Sequence, residues 1–181
     1  EISELTQARE IIDREIRHLS KFAHQLPRTF KLGAMLEVPA LLFQLDELFK
    51  AVDFVSVGSN DLFQFMMAVD RGAAHLSDRY DPMTPSFLRS LQAIAAAAEK
   101  AGKPVTLCGE LGGRPLEAMG LIGIGLTSIS MVPSAIGSVK AMVMSLDQKK
   151  LWGFMEPLLK SSLHTIRPDL MEFAQRNGVV L

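Results

Sequence analysis

Cysteine is almost absent from this sequence. Cys108 is the only thiol, which excludes an internal disulfide and a cysteine-cluster zinc site; a reducing cytoplasm suits such a chain. An excess of one charge is missing too. The 19 Lys and Arg against 20 Asp and Glu leave a net charge of −1, so no broad attraction to nucleic acid or to an anionic membrane is expected. Long apolar runs are lacking. Residues 132–145 are mostly apolar, but Ser134, Ser138 and Lys140 interrupt them, and nothing reaches the roughly 18 apolar residues of a membrane span. The first residues, EISELTQAREIIDREI, are charged and amphipathic, and read as a helix rather than a signal peptide. Neither GxxxxGK[ST] nor GxGxxG occurs, nor the GxSxG elbow of an α/β hydrolase. His18, His24, His75 and His164 have no HxxxH or HExxH spacing, and read as surface residues.

What is present is an alternation. Residues 1–23 carry Leu5, Ile12, Ile16 and Leu19 near helical spacing. Short apolar runs near 31–38, 53–58, 104–108 and 127–131 read as strands. Between them lie helical patterns at 40–50, 86–101 and 115–122, and a short helix or ordered loop at 62–68. Residues 70–85 read as a long loop, and 134–181 as C-terminal helices. Ser86 and Ser134 are candidate helix caps. Strands alternating with helices predict an α/β domain, with a parallel sheet covered on both faces. A complete eight-stranded α/β barrel needs about 250 residues. Four strands in 181 residues therefore read as a small open sheet or as half a barrel.

The unusual polar residues fall where these strands end: Glu37, Asn60 and Asp61, then Cys108, Gly109 and Glu110, then Ser130. Parallel α/β architectures build their sites at that edge. Glu37 interrupts LGAMLEVPALL, where an ionised carboxylate is costly unless paired or metal-bound. Taken alone it reads equally as an exposed strand-end carboxylate. Asp61 alone reads as a turn or cap residue. Two carboxylates from adjacent strand ends, with an Asn beside one, suit a hard divalent cation such as Mg²⁺. Cys108 is either a small buried hydrophobe or a thiol acid facing a substrate carbon. Arg71 is a surface charge or, near a phosphate, a bidentate donor. The glycines of CGELGGRP could line a phosphate-binding turn. The methionines of FMMAV and KAMVMS read as core.

In order and spacing, GAMLEVP, DFVSVGSNDLFQF, VDRG, DPMTPS, VTLCGELGG and ISMVP resemble enzyme I of the phosphoenolpyruvate:sugar phosphotransferase system, above all its nitrogen-related branch. Pyruvate phosphate dikinase and phosphoenolpyruvate synthase have a related barrel. The resemblance implies the C-terminal half of a phosphoenolpyruvate-binding TIM barrel. It implies Glu37 and Asp61 as Mg²⁺ ligands, Asn60, Asp61, Arg71 and Gly109 as substrate-binding, and Cys108 as the acid that protonates the enolate carbon to give pyruvate. It further implies a homodimer, and phosphoryl transfer through a histidine on another domain to a histidine-containing phosphocarrier protein. Ser59, Phe65 and Arg114 stand where Thr, Tyr and Asp are common. The phosphohistidine segment GGxTSHxA is absent from these residues, so the chain alone is expected to be inactive. A non-catalytic half-barrel that serves interaction or dimerisation is the other reading.

Overall fold

The computed structural model describes residues 1–22, 24–70 and 80–181. Three strands form one parallel sheet: β1 (Gly33–Leu36), β2 (Phe54–Gly58) and β3 (Val105–Cys108), in the spatial order β1-β2-β3. The register pairs Leu36 with Val57 and Gly58 with Cys108. Helix α1 (Ile2–Lys21) opens with a capping box made by Glu1 and Glu4 and has no buried residue. It lies against α2 (Leu45–Ala51), where Arg9 Nη2 donates to the Ala51 carbonyl at 3.2 Å. The expected helix over 40–50 is two pieces. A 3-10 turn, Pro39–Phe43, is separated from α2 by Gln44 at φ −130°, which is outside helical space.

Helix α3 (Ser59–Met67) starts directly after β2, three residues ahead of the expected 62. Helix α4 (Pro85–Ala101) has Thr84 at its cap position, not Ser86, because Pro85 occupies the first turn. It stops at Gly102, whose φ of 62° favours glycine. Helix α5 spans Pro115–Gly123. Ser134 caps no helix: it lies inside the 3-10 turn Pro133–Ala135 that precedes α6 (Ile136–Ser145). Helix α7 (Gln148–Leu159) is capped by Asp147, whose carboxylate accepts from the Lys149 and Lys150 amides. Helix α8 (Arg167–Asn177) ends at Gly178.

Two expectations need correction. The run at 127–131 is not a full strand among the described residues. It meets β3 through one parallel bridge, Leu107 to Ile129. Leu107 N–H donates to Ser128 O at 3.0 Å, and Ser130 N–H donates to Leu107 O at 2.8 Å. The segment leaves a turn at Gly125 (φ 97°) and soon reaches Pro133, so it has little length in which to extend the ladder. Among the described residues one face of the sheet also stays open, with Met35 and Phe54 exposed on it. Parallel crossovers are nearly all right-handed. With strands in sequential order, they put the connecting helices α2 and α4 on the same side. Covering both sides requires the order to reverse, as in doubly wound sheets. Sequential order is consistent with half a barrel.

The covered face makes the core. Leu36, Val57 and Leu107 are fully buried, against Phe87, Leu88, Leu91 and Ile94 of α4. Each such side chain contributes about 1.5–3 kcal/mol on burial. The opposite face carries Met35, Phe54, Ser56, Thr106 and Cys108, and Met35 remains 52% exposed.

Candidate functional site

Gly58 is the centre of the strand-end cluster. It is the last residue of β2 and the register partner of Cys108. A side chain at Gly58 would meet Glu37 Oε2 at 2.8 Å, so the Glu37 carboxylate lies across the Gly58 backbone. Helix α3 follows at once and sets Asn60 and Asp61 in its first turn. Asp61 there favours the positive end of the helix. Beyond β3, Gly109 has φ 120°, a conformation that suits glycine. A Cβ at Gly109 would fall on Ser59 Oγ and lie 3.1 Å from Asn60 Oδ1. Glycine is thus required here both by backbone conformation and by close approach.

Ser59 ties the two strand ends together, its hydroxyl donating to the Cys108 carbonyl at 2.8 Å. The Cys108 thiol is half-buried. It donates to the Val57 carbonyl at 3.2 Å, and Ser56 Oγ donates to Sγ at 3.3 Å. Beside Ser59 and Asn60 opens a cavity of about 110 Å³, walled also by Pro82, Glu110 and Arg114. Glu37, Asn60, Asp61, Cys108 and Gly109 therefore share one edge, as the sequence predicts. Arg71 lies outside the described residues. Among the described residues no three His, Cys, Asp or Glu side chains could hold a metal together. The donor set of Glu37 and Asp61 still fits a hard cation that keeps waters and substrate oxygens in most of its positions.

The sequence gives no sign of the ion cluster behind this edge. Arg167 Nε and Nη2 each donate to Asp81 at 3.0 Å, and Nη1 donates to Glu117 Oε1 at 2.8 Å. The Met83 amide and the Thr165 hydroxyl also donate to Asp81, at 2.9 and 2.7 Å. Glu117 is almost wholly buried, and Arg114 Nη1 stands 3.6 Å from the same oxygen. Burial works to raise the Asp81 carboxyl, but the hydrogen bonds from Arg167, Met83 and Thr165 outweigh it and hold the group below the usual carboxylate range. Asp81 pushes the Arg167 guanidinium above its ordinary value, more than burial lowers it, and Glu117 adds to the rise. Pro82, next to Asp81 in the chain, and Arg114, beside Glu117, are two walls of the small cavity. Asp81 and Arg167 are 86 residues apart, so no local pattern could have joined them.

The family model for the PEP-binding domain of PEP-utilising enzymes matches residues 1–148. A protein of Escherichia coli (strain K12) named "Phosphoenolpyruvate-dependent phosphotransferase system" is 35% identical over 180 residues, covering 98% of this chain and 24% of that protein. "Multiphosphoryl transfer protein 1" of the same strain is 41% identical over 138 residues, covering 76% of this chain and 17% of its own length. "Phosphoenolpyruvate-protein phosphotransferase" of Listeria monocytogenes is 35% identical over 171 residues, covering 94% of this chain and 30% of that protein. The chain spans between a sixth and a third of the length of these relatives.

Proposed function

Because the chain belongs to the PEP-binding domain family of the PEP-utilising enzymes, we propose that it is the C-terminal half of the phosphoenolpyruvate-binding barrel of a phosphoenolpyruvate–protein phosphotransferase, of the nitrogen-related branch. One observation carries the reading. Around Gly58 meet the Glu37 side chain, the Cys108 strand end and the helix start with Asn60 and Asp61. Arg114, in place of a common Asp, favours the nitrogen-related branch.

Glu37 and Asp61 would hold Mg²⁺, with Asn60, Arg71 and the bare Gly109 backbone against the phosphate. When bound, the metal neutralises charge on phosphate and enolate oxygens. The protein's part is to align the substrate and exclude stray chemistry. Cys108 faces the enolate carbon left when the phosphoryl group departs, and its S–H proton completes the methyl group of pyruvate. The phosphoryl group goes to a histidine on another domain and then to a histidine-containing phosphocarrier protein, in a cytoplasmic enzyme that pairs with its own copy. This chain holds the substrate half of that machinery.

A second reading has support of its own. The open sheet face exposes Met35 and Phe54, and α6 exposes Ile136, Val143 and Met144. Apolar surface of that kind suits a half-barrel whose task is association. Calorimetric titration of the chain with Mn²⁺ in the presence of oxalate, an enolate mimic, separates the two readings. Saturable binding that Asp61→Asn removes is expected for a substrate half. Absence of binding in both proteins means that the missing half of the barrel is needed to form the site or that the chain is an association module, and the same titration on the full-length protein separates these.

A further inference from the structure

On β2 and β3 the open face of the sheet is polar at one level, beside Met35 of β1. Ser56 on β2 is the register partner of Thr106 on β3, and Thr106 Oγ1 is 2.9 Å from Ser128 Oγ. The adjacent residues on the covered face are Val55, Val57, Val105 and Leu107. Small hydroxyls therefore lie just below Cys108, where a face built only for packing would carry apolar groups. One of them reaches the thiol: Ser56 Oγ donates to Cys108 Sγ at 3.3 Å.

We infer that Ser56 is a positioning residue for the Cys108 thiol, an inference that rests on the proton-donor reading of Cys108 given above. Sulfur is a weak acceptor and the thiol a weak donor. The Ser56 contact and the bond to the Val57 carbonyl together select one orientation for Sγ. In the proposed step the S–H bond breaks, and its proton forms a C–H bond with the electron pair of the enolate carbon. The S–H pair stays on sulfur as a thiolate, and solvent water later returns a proton. Ser56 donates to sulfur throughout, and its hydrogen bond strengthens as the charge develops, because charge-assisted bonds are the stronger kind. The other groups at this edge, Glu37, Asp61 and Glu110, are carboxylates and do not favour a thiolate. The 127–131 segment adds no charged group; its polar side chains are the hydroxyls of Thr127, Ser128 and Ser130.

The sole cysteine makes the test direct. Raman spectroscopy of this chain reads one S–H stretching band, from Cys108. Removing the donor in Ser56→Ala is expected to broaden the band and move it toward the position of a free thiol. Ser56→Thr, which keeps the hydroxyl, is expected to restore it. In the full-length enzyme, Ser56→Ala should lower kcat on the order of tenfold or more and leave KM for phosphoenolpyruvate unchanged. An unchanged band in Ser56→Ala, a shifted band that Thr does not restore, or a loss confined to KM would each overturn the assignment. The Raman readout needs neither metal nor substrate. Failure of the Mn²⁺–oxalate titration in the full-length protein therefore counts against the ligand site, and failure of the band counts against Ser56.

Discussion

The two faces of the small sheet are made from alternate residues of the same strands, yet they do different work. On the covered face, Leu36, Val55, Val57 and Leu107 are at most 1% exposed. On the open face, Met35 is half exposed and Ser56, Thr106 and Cys108 are only part-buried. Strand side chains alternate with a period of two, so Leu107 and Cys108 are neighbours in sequence and opposites in environment. Stability and chemistry can therefore be altered separately at adjacent positions.

The largest break in this division should come from Leu107→Ala. Deleting a fully buried leucine costs about 3 kcal/mol, and urea unfolding should read it. Cys108→Ser, one residue on, is expected to cost no more than about 1 kcal/mol. The reverse ranking would mean that the open face holds the fold together.

A smaller loss is expected from Arg167→Met, which leaves Asp81 and the buried Glu117 without their guanidinium. Breaking a buried pair costs several kcal/mol, but Arg167 is about a third exposed, so roughly 2 kcal/mol is expected. The difference should depend on pH. The Asp81 carboxyl is lowered in the folded chain. Its contribution is present above the ordinary value of 3.8 and is lost as pH falls through the lower folded value. The gap in urea midpoint between wild type and Arg167→Met should accordingly narrow below about pH 4.

Gly109→Ala should affect the fold less than Leu107→Ala does, and should have a larger effect on ligand binding. Its φ of 120° and the nearby Ser59 oxygen make a side chain cost about 1–2 kcal/mol. Displacing Ser59 and Asn60 should also weaken Mn²⁺–oxalate binding in calorimetry. An alanine that binds as wild type would show that this turn lies off the ligand path.

The strand positions were legible because short apolar runs between glycines and prolines have few other uses in an α/β chain. The gathering of Glu37, Asn60, Asp61 and Cys108 at one edge was legible too, since parallel strands deliver their ends to the same side. Pattern could not show which faces the helices would cover. That depends on strand order, which periodicity does not encode. Ile129 read as strand because its neighbours alternate correctly, but a ladder needs consecutive pairs and only Leu107 supplies one. Ser56 is one polar residue within an apolar run, and only the register brings its hydroxyl to the thiol. The Arg167 cluster joins residues of three distant segments and leaves no local trace.

The sequential strand order has a consequence for anything that would extend this sheet. Both edges run in the same direction as the interior, so a tight hairpin cannot lengthen either of them with a like-directed strand. Each added parallel strand needs a crossover of a dozen residues or more, usually a helix. Such a crossover, being right-handed, would set its helix beside α2 and α4 and leave Ser56, Thr106 and Cys108 facing inward. Growth by this rule curls the sheet around its polar side. Ser56, Thr106 and Cys108 thus stand on the surface that each further strand encloses more deeply.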